Sequence, residues 1–297
     1  MAKNKSSQNV NEMSFFEHLE ALRWHIIRAL VAILLFAVGI FLAKDFVFKQ
    51  VILGPCSPDF ITYRLFCQWL PSFCFYPGEL QIITRDIQEQ FMSHVQVSMS
   101  LGLILAFPYV FYEFWRFIKP GLYKNEIKAA RGIVFICSLL FLTGVAFGFF
   151  IVAPIAITFL STYSVSDQVA NTTTLSSLVN SMTMFTLPMG LVFELPVVMY
   201  FLAKIGLITY EFLSKYRRHA IVVIAVVAAV ITPPDAITMM MVGIPLYILF
   251  EASMIVVKRI DKEKKLKEAK EEAEAVEAAI AAAAAKKINE EIKEEKS

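Results

Sequence analysis

Long apolar stretches constrain this chain more than any other feature. Six stand out along its 297 residues, at about 22–43, 95–118, 132–153, 178–203, 220–231 and 236–257. About 20 apolar residues in a helix span a hydrocarbon core about 30 Å thick, at about 1.5 Å of rise per residue. Lipid offers no partner to backbone N–H and C=O groups, so each stretch is expected to be helical. Only 18% of the chain is charged and 57% is hydrophobic, against about 25% charged in ordinary soluble domains. The charges cluster in the first 28 residues, around 119–131, around 204–218 and after Lys258. The expected fold class is all-α, a polytopic membrane protein with six transmembrane helices. The fifth stretch has only twelve apolar residues, which reach about 18 Å. It either continues through Arg217, Arg218 and His219, whose heads must snorkel, or sits where the bilayer is thinned.

Orientation follows from Lys and Arg in the short loops. Loop 119–131 holds Lys119, Lys124, Lys128 and Arg131, and loop 204–218 holds Lys204, Lys215, Arg217 and Arg218. Loop 154–177 and the turn at 232–235 have neither Lys nor Arg, and loop 44–94 has more acidic than basic residues. Both termini are therefore expected in the cytoplasm of a bacterial cell, with the chain in its inner membrane. Residues 1–23 read as a cytoplasmic segment with an amphipathic helix, 24–258 as the six-helix domain, and 259–297 as a cytoplasmic tail. The tail is rich in Ala, Lys and Glu and reads as a solvated helix or as disorder. MAKNKSSQNVNEMS is polar, and no cleavable signal peptide is expected.

Cys137 lies in the third stretch and reads as a small apolar core residue. Cys56, Cys67 and Cys74 share the first outer loop, which permits three single pairings. The Cys67–Cys74 disulfide is expected, because a close pair needs the least chain ordering.

No HExxH, GxSxG, Walker A or CxxC pattern occurs, and His18, His25, His94 and His219 are scattered. An enzyme is not expected, nor a metal, a cofactor or a nucleic-acid partner. Three polar features remain. Glu194 interrupts LVFELPVVM, where a charge facing lipid would cost at least about 2.5 kcal/mol. Asn180, Thr183, Thr186 and Gly190 precede it at spacings of three or four, a polar strip on one helix face. Pro188 and Pro196 bracket the strip and should bend the helix. The strip reads as a face turned to a groove or to another subunit, or as a protonated carboxyl buried among helices. In PGLYKNE, 120–126, Tyr123 and Glu126 are the non-basic polar anchors among four cations. Glu126 is either a local charge partner or an acceptor for a cationic ligand. In FFEHLEALRWHIIR, 15–28, Phe15, Leu19, Leu22 and Ile26 share one face, an amphipathic lead-in to the first span. GVAFG in the third stretch permits close helix contact. A proton-coupled small-solute transporter using Glu194 would explain that residue but not the acids at the inner surface, and a purely structural scaffold is a third reading.

Taken in order, the motifs resemble the TatC family, the multi-span receptor of the twin-arginine protein translocase. HLEALR resembles its N-terminal HLxELR, and GP at 54–55 the proline after its first span. FPYVFYEFWRFIKPGLYKNE, 107–126, is similar to its W-x-F-x-x-P-x-L-Y-x-x-E stretch. FELP at 193–196, ITPPD at 231–235 and IPLYILFE at 244–251 follow in family order. The resemblance covers roughly residues 13–258.

It implies six spans curved like a cupped hand. It also implies binding of Arg-Arg signal peptides on folded precursors, and assembly with TatA/TatB-type single-span membrane proteins. Self-association in the complex and export driven by the proton-motive force are implied as well. For the signal peptide it implies Glu126, Glu20, Glu17, Phe117, Tyr123 and Arg23. For the partner or transport groove it implies Glu194, Thr183, Pro55, Asp235 and Glu251, with Glu194 on the concave side. The family usually has Glu at the position of Ala21. Here Glu20 lies about 100° around the helix and Glu17 one turn away on the same face, so either supplies that carboxylate.

Overall fold

The computed structural model describes residues 15–69, 76, 77, 80–118, 132–164, 166, 172–232 and 236–295. Within its helices, the side chains of 15–19, 237, 279 and 281–295 are not described. Among the described residues five helices are long and apolar enough to cross a membrane: Glu20–Leu42, Glu89–Ile118, Ile133–Thr162, Leu175–Lys204 and Thr238–Ala278. The chain divides into two compact units, residues 1–194 with 227–243, and 195–226 with 244–297.

In the first unit, α1 (Phe15–Leu42) runs through the turn Lys44–Phe46 into a π-helical stretch, Val47–Ile52. A short α2 (Ile61–Trp69) follows. Next come β1 (Gln81–Ile83) and α3 (Glu89–Ile118). Then α4 occupies Ile133–Thr162, with a π turn at Gly148–Val152, followed by β2 (Thr172–Thr174) and α5 (Leu175–Val192). The strands add a feature that the all-α expectation lacked: β1 and β2 pair in parallel, Gln81 opposite Thr172 and Ile83 opposite Thr174. Each strand has only three residues, too short for a period-two pattern to stand out.

Small residues set how closely these helices pack. A methyl group on Gly102 would stand 2.7 Å from the Ala37 amide nitrogen, so α1 and α3 touch through backbone there. The GVAFG pair acts alike: a methyl on Gly144 or Gly148 would stand 2.6 Å from the Met189 or Phe185 carbonyl of α5. Between α3 and α4, the Phe107 and Phe141 rings stack with centroids 3.5 Å apart. The Phe41 and His94 rings stack at 3.9 Å, joining α1 to α3 near the far ends of both.

The loop after α1 is anchored through proline geometry. Pro154 has no N–H to offer the Phe150 carbonyl four residues earlier. The Thr62 hydroxyl donates to that carbonyl instead, at 2.5 Å. Tyr63 is fully buried, its hydroxyl 2.8 Å from the Pro55 carbonyl and 3.1 Å from that of Pro154. Burial pushes the neighbouring Cys56 thiol up to about 11, which disfavours its thiolate. Cys67 is disulfide-bonded, while Cys56 and Cys137 are free. Cys74 lies outside the described residues. Glu89, at the start of α3, accepts from the Arg85 amide at 2.6 Å and the Ser176 amide of α5 at 2.8 Å, which fastens two loops together.

The fourth stretch breaks at one of its two prolines, Pro196. α5 ends at Val192, and α6 runs over Leu195–Lys204. Pro196 cannot donate to the Val192 carbonyl and its ring would crowd it, so the helix stops at Phe193–Glu194. Pro188 is carried inside α5.

In the second unit, α7 (Tyr210–Lys215) caps on Thr209; α8 (Arg217–Ile231) follows, with 217–226 in this unit and 227–231 in the first. α8 begins at Arg217, the first of the two alternatives for the fifth stretch. Its 15 residues reach only about 22 Å, which is why it is absent from the five membrane-length helices. α9 (Ala236–Glu295) has 60 residues. The tail is therefore helical, and its first turns do more than solvate. Within this unit Phe250, Met254 and Val257 pack with Ala203 and Leu213. Asp261 accepts from the Tyr210 amide at 2.5 Å, Lys264 Nζ donates to the Ala203 carbonyl at 3.0 Å, and Lys265 pairs with Glu211 at 3.1 Å.

Candidate functional site

Two groups of polar residues stand inside the helices, and the first sits where α1 and α3 run side by side. His25 and Arg28 are three residues apart on α1 and share a face. Opposite them Glu113 of α3 is 2% exposed. One of its oxygens, Oε2, lies 2.5 Å from His25 Nδ1 and 3.8 Å from Arg28 Nη1. The other, Oε1, accepts from the Tyr109 hydroxyl at 3.0 Å. The Phe117 ring meets the His25 ring edge-on at 6.1 Å. A carboxylate this deep is tolerable only when paired and hydrogen-bonded, and here both oxygens are engaged. Glu20 and Arg23 stand exposed on α1, five and two residues before His25. The structure thus brings Phe117 to the α1 segment that follows Glu20 and Arg23. The Glu17 side chain, Tyr123 and Glu126 lie outside the described residues.

The second group lies on α5. Asn180 is exposed, Thr183 half-buried, and Thr186, Gly190 and Glu194 buried. Thr183 and Thr186 line a cavity of about 40 Å³ with Ser100 and apolar neighbours from α3 and the π stretch after α1. Gly190 packs on Phe141 and Val145 of α4. Glu194 lies beside the Cys137 thiol and the Phe141 backbone, but neither meets hydrogen-bond geometry, and both its oxygens are buried without a partner among the described residues. The strip is thus turned partly into helix contacts. Pro55 is buried, with its carbonyl held by Tyr63. Glu251, in the second unit, forms an ion pair with Arg217, whose guanidinium also donates to the Tyr247 hydroxyl at 2.9 Å. Asp235 lies outside the described residues.

Sequence reasoning missed Glu113 as a site. Its signal was present, a lone acid in an apolar helix like Glu194, but it stood unremarked inside the longer motif. Glu89 was missed for a different reason: its partners are backbone amides, which leave no pattern in sequence. Among the described residues no group of His, Cys, Asp and Glu has the arrangement of a metal site.

Membrane-length helices, packed through glycines and carrying acids inside the bundle, define a polytopic α-helical membrane protein. A family model for the Sec-independent protein translocase protein (TatC) matches residues 17–245. The Sec-independent protein translocase protein TatC of Blattabacterium sp. subsp. Periplaneta americana (strain BPLAN) is 40% identical over 261 residues, covering 86% of this chain and 98% of its own. Its counterpart from Desulforapulum autotrophicum is 35% identical over 258 residues, covering 87% and 89%. A crystal structure of the twin arginine translocase receptor TatC shares 31% identity with a TM-score of 0.64, covering 82% of this chain and 99% of that one. The chain belongs to the TatC family of Sec-independent protein translocase proteins. It is a protein-transport component of the Tat complex in the bacterial inner membrane, in a family of transport proteins and not of enzymes. The small-solute transporter built on Glu194 falls with that membership.

Proposed function

We propose that this chain is the receptor subunit that binds Arg-Arg signal peptides of folded precursors and gathers single-span partners of TatA and TatB type. The observation that carries this reading is the pairing of α1 with α3. It supports a docking surface formed by Glu20, Arg23 and Phe117, with Glu17, Tyr123 and Glu126 completing it. Arg offers a planar fork that a carboxylate grips with two bonds, and Lys cannot reproduce that geometry. Glu126 is the principal acceptor, and Glu17 or Glu20 replaces the carboxylate usual at Ala21. Six crossings with both termini in the cytoplasm put this surface where precursors arrive, α8 being the fifth and shortest of them. Basic loops 119–131 and 204–218 support that orientation.

Glu194, Thr183 and Glu251, with Pro55 and Asp235, serve the partner side. The unpartnered oxygens of Glu194 support a role in meeting a polar residue of a single-span helix, in a step driven by the proton-motive force. Copies of the chain associate within the complex. The loop after α1 is closed by a Cys67–Cys74 disulfide, consistent with a bonded Cys67 and free Cys56 and Cys137.

The test is a pull-down from detergent with a precursor bearing Arg-Arg and with its Lys-Lys counterpart. The purified chain is expected to retain the first and lose most of the second. Equal retention of both contradicts the reading.

A further inference from the structure

Glu113 raises a question that the receptor reading leaves unanswered. Its carboxylate is buried near one end of the α1–α3 pair, and all its polar partners stand within one small cluster: His25 and Arg28 from α1, Tyr109 from its own helix. Elsewhere the same two helices are joined without charge. Ala37 and Gly102 touch through backbone, and Phe41 stacks on His94 toward the opposite ends. The pair is thus in contact at several places along its length, these among them. The Glu113 clasp is the one beside Phe117, and the one nearest Glu20 and Arg23 in sequence.

We infer that Glu113 is a positioning residue of the arginine site: its pairing with His25 and Arg28 fixes the start of α1 against the end of α3, in the register the arginine pair requires. The inference rests on the receptor reading above. Recognition by a planar fork is steep in geometry, because two parallel N–H···O bonds form only when carboxylate and guanidinium are coplanar and correctly spaced. An ammonium is a point charge and tolerates displacement. Loosening the clasp therefore lowers Arg-Arg binding more than Lys-Lys binding. The contacts at Ala37, Gly102, Phe41 and His94 still hold the helices together, so the chain stays folded while one end splays.

The experiment uses the full chain in detergent, with Arg-Arg and Lys-Lys signal peptides titrated at fixed salt. Three variants are compared with the parent: Glu113→Ala, Glu113→Gln and the double variant Glu113→Ala/His25→Ala. Glu113→Ala is expected to lower Arg-Arg affinity about ten-fold and to shrink the ratio of Arg-Arg to Lys-Lys affinity. Glu113→Gln, which retains the bond from Tyr109, loses less. The double variant is expected to shrink the ratio at least as far as Glu113→Ala, because His25→Ala also removes the ring that meets Phe117. A purely structural role would weaken both peptides alike or lower the folded fraction, leaving the ratio at its parent value, and that result overturns the assignment. Should Glu113→Ala fail to fold, Glu113→Gln carries the same comparison of ratios. A Glu126→Ala variant distinguishes the two failures. If it loses the Arg-Arg preference while the Glu113 variants keep it, the Glu113 assignment alone falls. If the parent has no such preference, the receptor reading falls and the assignment with it.

Discussion

A carboxyl group inside a bundle has two solutions to its burial, and this chain uses both. Glu113 engages both oxygens with groups from two helices. Glu194 engages neither among the described residues, although both its oxygens are buried. A buried acceptor left without a partner costs about 1–3 kcal/mol, and that cost is recovered if a partner helix supplies a donor. Glutamine keeps the size and one acceptor of the side chain and adds a donor, while alanine removes all of it. Glu194→Gln is therefore expected to keep most of both partner co-purification and export, and Glu194→Ala to weaken both. Complete and equal loss in the two variants would show that an ionisable group is needed there.

At the scale of elements, the packing of α4 on α5 hangs on Gly144 and Gly148, each within backbone contact of the opposite helix. Gly148→Leu would drive a side chain into the Phe185 carbonyl and the Thr186 Cα. Overpacking of this kind costs about 1–3 kcal/mol or more, and thermal unfolding in detergent should show a lowered midpoint. Gly39, with open space around the corresponding position, should accept Ala with little change. Similar midpoints for Gly148→Leu and Gly39→Ala would contradict the packing. Elements of this kind were largely legible beforehand. Apolar length gave α1, α3, α4 and α5, Pro196 gave the break at Glu194, and GVAFG gave a close contact without naming its partner. What sequence could not supply was pairing over distance. Glu89 and Ser176 are 87 residues apart, His25 and Glu113 are 88 apart, and neither pair has a local periodicity. The parallel β1–β2 bridge and the clamp of Asp261 and Lys264 on residues 203–210 were hidden for the same reason. The polar strip on α5 was visible as a face, but its neighbours were not, so its burial under α4 at Gly190 came only with the structure.

At the scale of the whole molecule, the receptor role proposed above requires reading a short basic motif on a folded cargo. Family membership accounts for the transport role, and the α1–α3 pair is where the motif is proposed to dock. Glu126 is the residue on which that docking is proposed to depend. In sequence it follows Pro120, a residue that a helix interior does not tolerate. Four cations surround it in sequence, so its loss leaves few acids nearby to compensate. A hydrogen bond to a charged group contributes roughly 1.5–3 kcal/mol, which corresponds to about ten- to hundred-fold in affinity. The most direct measurement is a titration of the full chain and of Glu126→Ala with an Arg-Arg signal peptide and its Lys-Lys form, at fixed salt because the contact is partly screened. The account predicts that Glu126→Ala loses about that factor for Arg-Arg and much less for Lys-Lys. A folded, inserted Glu126→Ala variant that binds the Arg-Arg peptide as tightly as the parent would contradict it.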